Sequence, residues 1–234
     1  MILREYHELP RIMQNNPVKN LYKDVTKLKL YMVVKRVFDI IAGFVLIAIF
    51  SPILLLIACL IKIDSKGPII FKQERVTQYC QKFQIYKFRT MRVDMTDLNK
   101  LITTKDDLRV TKIGKILRKY KLDELPQLYN VLMGDMSFVG VRPEVVKYVD
   151  KYSEEMYVTL LFPAGITSYA SLHYKDEAGK LDSTKDIDYQ YINDILPEKM
   201  RYNIKSTKNF SLLQDLKIML LTVIIVLGIR KISR

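Results

Sequence analysis

The sequence is poor in the residues that build disulfides and zinc sites. Its 234 residues include two cysteines, Cys59 and Cys80, and no CxxC spacing or cysteine–histidine cluster. We therefore expect neither a disulfide framework nor a zinc site. The two histidines, His7 and His173, lie far apart in the sequence, and each is interpreted as a surface residue rather than a catalyst.

The chain also lacks internal repeats and low-complexity tracts, and we expect no cleavable signal peptide. Its first apolar stretch begins too late for a signal peptide, and no small-residue cleavage site follows it. The length suffices for one domain with a core and appendages. We expect the globular part of the chain to stay in the cytoplasm.

Positive charge and apolar character occur together in this chain. The net charge is +13, hydrophobic residues make up 49% of the sequence, and the mean hydropathy is +0.02. A basic chain of this kind suggests nucleic acid or an anionic membrane surface as its partner. The long apolar run and the lack of a recognisable nucleic-acid-binding motif favour the membrane.

The longest apolar run, residues 38–61, predicts a membrane segment, because roughly 20 apolar residues suffice to cross a bilayer. Ser51 and Pro52 interrupt the run, and lysines or arginines flank both of its ends. Proline removes a helical hydrogen bond, and a neighbouring serine hydroxyl can satisfy the freed carbonyl. We predict a re-entrant helix-break-helix that dips into one leaflet and returns. An ordinary spanning helix with a kink is the alternative.

The carboxylates Asp123 and Glu124 stand at the start of a helical pattern. Apolar residues follow at i, i+3, i+4 and i+7, namely Leu125, Leu128, Tyr129 and Leu132. This spacing predicts a short helix with Asp123 as its N-cap, Pro126 in the first turn and Gly134 at its end. A plain capping role for Asp123 is the alternative to a catalytic one.

Several cations are expected near this acidic pair. Arg118 precedes it and Arg142 follows it, just before Pro143, which predicts the start of a further helix. Lys87 and Arg89 project together from the end of a predicted strand. Cations, carboxylates and helix N-termini together describe a site for phosphates and a divalent metal. In the structural alternatives, Arg118 complements a helix dipole, and Lys87 and Arg89 lie on a solvated strand edge.

The fold class predicted from these patterns is α+β, with a mostly helical cytoplasmic domain and a small antiparallel β-hairpin. The domains are expected to be a basic N-terminal arm at 1–34, the re-entrant helix at 35–66, a catalytic domain at 67–205 and a C-terminal helix at 206–234. Residues 1–30 are expected to be either a loosely ordered arm or an amphipathic segment on the membrane. The middle of the chain is predicted to hold strands at 69–76 and 82–91, a loop or short helix at 94–107, a helix capped by Thr111 and a loop at 163–167. The tail at 212–229 is predicted to be a helix, either on the membrane surface or against the first helix.

Residues 35–167 carry a set of motifs in a specific order. They are Lys35, Arg36, Phe38 and Asp39; Ser51 and Pro52; Gly67 and Pro68 with Phe71, Gln73 and Arg75; Lys87 to Met91; Leu117 to Lys119 with Leu122 to Leu128; Gly134 to Ser137 with Val139, Gly140, Arg142 and Pro143; and Pro163 to Thr167. On these residues the chain resembles the bacterial monotopic phosphoglycosyl transferases, of their small class. It departs from the family pattern at Val141, where a proline is usual, and at Thr77 and Cys80, where glycines are usual.

The resemblance implies transfer of a sugar-1-phosphate from a UDP-sugar to polyprenyl (undecaprenyl) phosphate, with release of UMP, as the first membrane step of glycan assembly. Asp123 would attack the β-phosphate and form a covalent phosphosugar, and Glu124 would hold Mg²⁺. Arg118 and Arg142, and less directly Lys87 and Arg89, would bind phosphate.

The expected location is the cytoplasmic face of the bacterial inner membrane, in contact with its phospholipids and without nucleic acid. A homodimer, the sugar and the pathway are left open. The alternative function is a non-enzymatic membrane scaffold whose basic face recruits anionic lipid or acidic partners, although such a surface would not need an acidic pair among arginines.

Overall fold

The computed structural model describes residues 3–92, 107–173, 186–207, 211–226 and 229. Within these ranges the chain is mostly helical, with two small two-stranded sheets. The helices are α1 (Asn16–Val25), α2 (Lys29–Asp64), α3 (Lys112–Lys119), α4 (Gln127–Met133), α5 (Val146–Val149), α6 (Tyr169–His173), α7 (Ile187–Gln190), α8 (Leu196–Thr207) and α9 (Leu212–Val226). The strands are β1 (Ile70–Val76), β2 (Lys82–Phe88), β3 (Met136–Val139) and β4 (Ala164–Thr167). Most of the predicted segment 94–107 lies outside the described residues.

The N-terminal segment packs into the protein core. The side chain of Asn15 caps α1 by accepting a hydrogen bond of 3.0 Å from the backbone amide of Val18. The apolar face of α1 then buries Val18 and Val25 completely, in one cluster with Leu161 of the 3-10 turn that precedes β4. The loosely ordered arm is therefore wrong, and the amphipathic face covers the protein rather than a membrane.

Helix α2 is a single helix of 36 residues, roughly 54 Å long at 1.5 Å per residue. By length and composition, the helical stretch Asn16–Asp64, of which α2 is the larger part, is long and apolar enough to cross a membrane. The helix continues through Ser51 and Pro52, so the predicted interruption is not seen. The predicted role of the serine is confirmed, because its Oγ donates a hydrogen bond of 2.9 Å to the carbonyl of Ala48.

Both ends of α2 contact the same domain. Near one end, the Arg36 guanidinium donates to the carbonyls of Val131 and Leu132 in α4, at 2.5 and 2.7 Å. At the other end, the Asp64 carboxylate accepts a hydrogen bond of 3.1 Å from the backbone amide of Ile113 in α3. Between these ends the outward face of α2 leaves large apolar side chains exposed, among them Ile41, Phe44, Ile49, Leu55 and Leu56.

The predicted β-hairpin is confirmed. Strands β1 and β2 pair in antiparallel fashion, from Ile70 opposite Phe88 to Val76 opposite Lys82. Strand β2 ends at Phe88, three residues before the predicted end, and Met91 instead forms an isolated bridge with Val110.

The loop predicted at 163–167 is wrong. Residues 164–167 form β4, which pairs in parallel with β3 in a second sheet. Gly140, which follows β3, lies close to Gly165 within β4, and a Cβ on Gly165 would lie 2.1 Å from the nitrogen of Gly140. A parallel partner is joined by a long connection, so the local pattern of a short glycine-containing segment does not disclose it.

The C-terminal helix α9 packs against the rest of the protein. Ile218 and Ile225 are buried in the cluster that surrounds β3 and β4. The Asp215 carboxylate accepts hydrogen bonds from Lys35 Nζ at 2.5 Å and from the Tyr31 hydroxyl at 2.8 Å, both on α2. Of the two alternatives for the tail helix, contact with the first helix is therefore confirmed.

Candidate active site

The acidic pair lies in a 3-10 turn, Leu122–Glu124, that connects α3 to α4. The turn follows Lys121, which has a left-handed backbone with φ of 57°. The spacing predicted Asp123 as the N-cap of α4. This prediction is wrong, because the helix begins at Gln127, directly after Pro126. Gly134 ends the helix with φ of 92°, as predicted. The early turn directs both carboxylates into the protein, where Asp123 is 8% and Glu124 9% exposed.

The Glu124 carboxylate is held by two cations. Arg142 Nη2 lies 2.6 Å from Oε1 and Nη1 lies 3.3 Å from Oε2, which is the two-point contact that a guanidinium allows. Lys87 Nζ donates a further hydrogen bond of 3.1 Å to Oε1. Burial alone would raise the pKa of Glu124, but Arg142 and Lys87 outweigh it and hold that pKa well below its usual range. Glu124 is therefore ionised, and the positive charges of Arg142 and Lys87 balance its negative charge.

Asp123 differs from Glu124 in having an oxygen without a partner. Within the described residues, its buried Oδ1 makes no hydrogen bond. Burial and the adjacent Glu124 charge raise the pKa of Asp123, while the cations Lys87, Lys121 and Arg118 oppose the shift. The pair therefore consists of one carboxylate fixed by cations and one that keeps an oxygen available.

Arg118 reaches the site from the end of α3. The Thr111 side chain caps this helix by accepting a hydrogen bond of 3.0 Å from the amide of Gly114, which confirms the predicted cap. Gly114 packs on the segment that follows β2, since a Cβ there would lie 2.2 Å from the Thr90 carbonyl oxygen. One turn later, Arg118 Nε donates to Thr90 Oγ1 at 2.8 Å, and its charge acts on Asp123.

Arg89 is not brought together with the acidic pair. Its Nη2 donates to the carbonyl of Ser65 at 2.6 Å and to the carbonyl of Ile61 at 3.3 Å, at the end of α2. The expectation that Lys87 and Arg89 project together fails because β2 ends at Phe88, so the strand alternation does not extend to Arg89.

No helix begins at Pro143, contrary to prediction. The short α5 starts at Val146, and Arg142 precedes it in an extended segment. Sequence reasoning missed the residues behind this segment, Glu144 and Lys199, which form a buried ion pair of 2.7 Å. Lys199 lies in α8, far along the chain, and nothing in its local sequence distinguishes it from a surface lysine.

The residues present fit a Mg²⁺ ion that is bound largely through a substrate. Among the described residues, no three histidine, cysteine or acidic side chains gather into a closed metal site. Mg²⁺ typically uses one or two carboxylates together with substrate phosphates and water. The adjacent Asp123 and Glu124, with the partnerless Oδ1 of Asp123, offer such a partial ligand set.

Comparison with known proteins identifies the family. Residues 30–228 match the family described as bacterial sugar transferase, so the chain belongs to this family and the resemblance noted in its sequence is confirmed. A UDP-N-acetylgalactosamine-undecaprenyl-phosphate N-acetylgalactosaminephosphotransferase of Aeromonas hydrophila is 38% identical over 83% of this chain and 44% of its own length.

Two further relatives carry a different sugar in their names. A UDP-glucose:undecaprenyl-phosphate glucose-1-phosphate transferase of Klebsiella pneumoniae is 38% identical over 82% of this chain and 40% of its own length. A protein of the same name from Caulobacter vibrioides is 39% identical over 81% of this chain and 68% of its own length. The chain thus spans less than half of the Aeromonas and Klebsiella proteins.

Proposed function

We propose that this protein transfers a sugar-1-phosphate from a UDP-sugar to undecaprenyl phosphate and releases UMP. Membership of the bacterial sugar transferase family supports this activity, as do relatives whose names include a UDP-sugar donor and an undecaprenyl-phosphate acceptor. Because those relatives differ in their sugar, the sugar is left to experiment.

The observation that carries the proposal is the division between the two carboxylates. Glu124 accepts hydrogen bonds from Arg142 and Lys87, whereas Asp123 keeps one buried oxygen without a partner. A nucleophile needs a free lone pair beside charges that stabilise the phosphoryl group under attack. Asp123 meets the first condition, and the surrounding cations meet the second.

In the first step, an Asp123 carboxylate oxygen attacks the β-phosphorus of the UDP-sugar. A bond forms between that oxygen and phosphorus, the bond from phosphorus to the bridging oxygen breaks, and UMP leaves with the electron pair. Arg142 stabilises the charge that spreads over the phosphoryl oxygens. Arg118, at the end of α3, adds a positive charge that acts on the Asp123 carboxylate. Arg142, Lys87 and Arg118 carry three positive charges against the two carboxylates, and this excess of one positive charge suits a diphosphate.

In the second step, a phosphate oxygen of undecaprenyl phosphate attacks the phosphorus of the aspartyl phosphosugar. The bond from phosphorus to Asp123 breaks, which returns the carboxylate and gives a lipid diphosphate sugar. Glu124 would hold a Mg²⁺ ion together with the diphosphate, and such an ion screens negative charge so that one anion can approach another.

The proposed membrane arrangement is a re-entrant α2 on the cytoplasmic face of the inner membrane, in which the helix is continuous through Ser51 and Pro52 and both of its ends stay on that face. A straight span would put residues 36 and 61 on opposite sides of a hydrocarbon core about 30 Å thick. Arg36 contacts α4, and the carbonyl of Ile61 accepts from Arg89, so both positions contact one domain. The exposed apolar face between them supports insertion into one leaflet.

The activity is tested with membranes that contain the protein, undecaprenyl phosphate and a panel of UDP-sugars. We expect UMP release with at least one UDP-sugar, dependent on the lipid acceptor beyond the first turnover. Absence of UMP with every sugar, from protein that is folded and membrane-bound, would contradict the proposal.

The membrane arrangement is tested by labelling single cysteines in a variant that lacks Cys59 and Cys80. Lys27→Cys and Lys66→Cys place exposed thiols on either side of the apolar segment. We expect an impermeant thiol reagent to label both from the cytoplasmic side of inside-out vesicles. Labelling of the two positions from opposite sides would rule out re-entry.

A further inference from the structure

A second buried charge cluster lies directly behind Arg142. Its centre is the carboxylate of Glu144, whose Oε1 accepts hydrogen bonds from Lys199 Nζ at 2.7 Å and from the Tyr191 hydroxyl at 2.9 Å. Lys199 Nζ also lies 3.1 Å from the Tyr191 hydroxyl oxygen. All three residues are buried. We call these three residues the Glu144 cluster.

The main chain next to Arg142 is held both by the Glu144 side chain in this cluster and by contacts with β1. The carbonyl of Glu144 accepts a hydrogen bond of 2.9 Å from the backbone amide of Val76. Arg75 Nη1 donates a hydrogen bond of 3.1 Å to the carbonyl of Pro143 and lies 3.9 Å from Glu144 Oε2. The two residues that follow Arg142 are therefore held by both main-chain and side-chain contacts.

These contacts affect the position of the Arg142 side chain, because they hold residues 143 and 144, which directly follow Arg142 in the main chain. Pro143 has a fixed φ, so little freedom remains between Glu144 and Arg142. The Arg142 guanidinium then reaches both oxygens of Glu124. A shift of the 143–144 segment would move the guanidinium, and binding sites lose function when their groups move by about 1 Å.

Stability alone does not account for the Glu144 cluster. Removing two charges from water costs several kcal/mol per ion, and apolar residues of similar volume often serve stability as well or better. A buried network of hydrogen bonds and ion pairs specifies position, since each group has one favourable arrangement. The geometry of this network specifies the position of residues 143 and 144.

We propose that Glu144, held by Lys199 and Tyr191, is a positioning residue that sets Arg142 for the diphosphate of the donor. This inference rests on the proposed function, and it extends the site to Lys199 of α8. Arg75 acts in the same way through the carbonyl of Pro143.

The test compares Tyr191→Phe with Tyr148→Phe. The two rings lie against each other with centroids 4.5 Å apart, and each hydroxyl donates to a carboxylate. The Tyr148 hydroxyl donates to Asp188 at 2.6 Å instead of to Glu144, so Tyr148→Phe is the matched control. The measurements are Tm, KM for the UDP-sugar, KM for undecaprenyl phosphate, and Kd for UDP by calorimetry.

For Tyr191→Phe we expect donor KM and the Kd for UDP to rise about three- to tenfold, the size of effect that the loss of one hydrogen bond typically has. The acceptor KM should stay within twofold, and Tyr148→Phe should leave all three constants within twofold. Equal donor constants in the two variants, or a change in Tm alone for Tyr191→Phe, would overturn the proposal.

A second pair of variants covers the ion pair. Lys199→Met leaves Glu144 buried without its charge partner, whereas Lys199→Arg keeps the charge. We expect Lys199→Met to weaken UDP binding at temperatures well below its Tm and Lys199→Arg to recover at least part of the loss. If both variants bind UDP like the wild type while folded, the positioning role is wrong.

UDP binding separates this proposal from the proposed function. Wild-type protein that binds UDP without transferring a sugar would contradict the transfer activity, and the variants would still decide the positioning role. Wild-type protein that neither transfers nor binds UDP would overturn both.

Discussion

Arg142 and Glu124 are joined at two points, with Nη2 to Oε1 at 2.6 Å and Nη1 to Oε2 at 3.3 Å. The planar guanidinium is therefore oriented before any donor binds. Lys87 contacts the same carboxylate at 3.1 Å, and burial lowers the pKa of this lysine to about 8 despite the opposing effect of Glu124. The cations proposed to bind phosphate are thus held in place by an acid beside the proposed nucleophile.

Arg142→Lys tests the value of this two-point geometry. A lysine keeps the charge but contacts one oxygen at a time, so we expect kcat/KM for the UDP-sugar to fall about tenfold to a hundredfold. Arg201→Lys, at an exposed position on α8, is the control and should stay near wild type. Steady-state kinetics in detergent would check this, and a loss below twofold would show that charge alone suffices.

Asp123→Asn should abolish transfer while the protein stays folded and membrane-bound. The amide cannot attack phosphorus, and we expect a loss of roughly a thousandfold or more in UMP release. Asp150→Asn removes an exposed carboxylate and serves as the matched control.

Intact-mass measurement provides a second readout for Asp123. Wild-type protein incubated with a UDP-sugar and no acceptor should gain the mass of one phosphosugar, and the Asp123→Asn protein should not. A phosphosugar adduct on Asp123→Asn would assign the nucleophile to another residue.

Glu124→Gln tests the proposed metal role. The amide is a poorer Mg²⁺ ligand than a carboxylate, so we expect the Mg²⁺ concentration for half-maximal activity to rise at least about tenfold. Calorimetric titration of UDP with and without Mg²⁺ gives a readout that does not depend on turnover. Glu154→Gln, at an exposed position, is the control, and an unchanged metal dependence in Glu124→Gln would argue against a metal ligand.

Local sequence signals predicted the start of α3 and the end of α4 correctly, but not the direction of several site residues. Thr111 caps α3 and Gly134 ends α4, because both depend on the conformation of adjacent residues. Asp123 is not a cap, because the left-handed Lys121 starts a 3-10 turn whose carboxylates contact cations from distant segments. Arg89 points to the end of α2, because β2 ends one residue earlier.

Contacts between residues far apart in the sequence could not be predicted from local sequence patterns either. Strand β4 finds its parallel partner across the whole 140–163 connection, so residues 163–167 were predicted as a loop. The Glu144 cluster joins residue 144 to residue 199, and neither position shows a periodic or compositional signal. Asp123 and Glu124 were identified through their motif, which is contiguous in sequence and independent of such pairings.

The stability of the Glu144 cluster should depend on pH. Burial would raise the pKa of Glu144, but Lys199 and Arg75 outweigh it and lower that pKa. A lowered carboxylate pKa stabilises the folded state above the unfolded pKa of about 4.3, and this stabilisation is lost as pH falls through the folded pKa. At pH 7, Glu144→Gln should cost about 3 kcal/mol because Lys199 is left buried without its counter-charge.

Chemical unfolding in detergent over a pH series would check this dependence. The difference between wild type and Glu144→Gln should shrink below about pH 4.3, as the wild-type carboxylate takes up a proton. A difference that stays constant down to the acid limit of folding would show that the pKa of Glu144 is not lowered. Asp188→Asn, which loses a more exposed carboxylate, should cost far less at pH 7.

The Ser51 hydroxyl and Pro52 should be energetically coupled through one carbonyl. Pro52 has no amide hydrogen, so the carbonyl of Ala48, four residues earlier, lacks its helical donor. The Ser51 hydroxyl supplies that hydrogen bond at 2.9 Å. We expect Ser51→Ala to lower the free energy of unfolding by about 1 kcal/mol, because the carbonyl then faces an apolar environment without a donor.

A double-mutant cycle tests this coupling. In Pro52→Ala the backbone amide at position 52 donates to the Ala48 carbonyl directly. Ser51→Ala in that background should therefore change the free energy of unfolding by less than about 0.3 kcal/mol. Ser51→Thr keeps the hydroxyl and should resemble wild type. Unfolding in detergent measures stability, and cysteine labelling of the two flanks measures topology. An equal cost of Ser51→Ala in both backgrounds would mean that the hydroxyl does not replace the missing amide, and that the proline is tolerated in α2 for another reason.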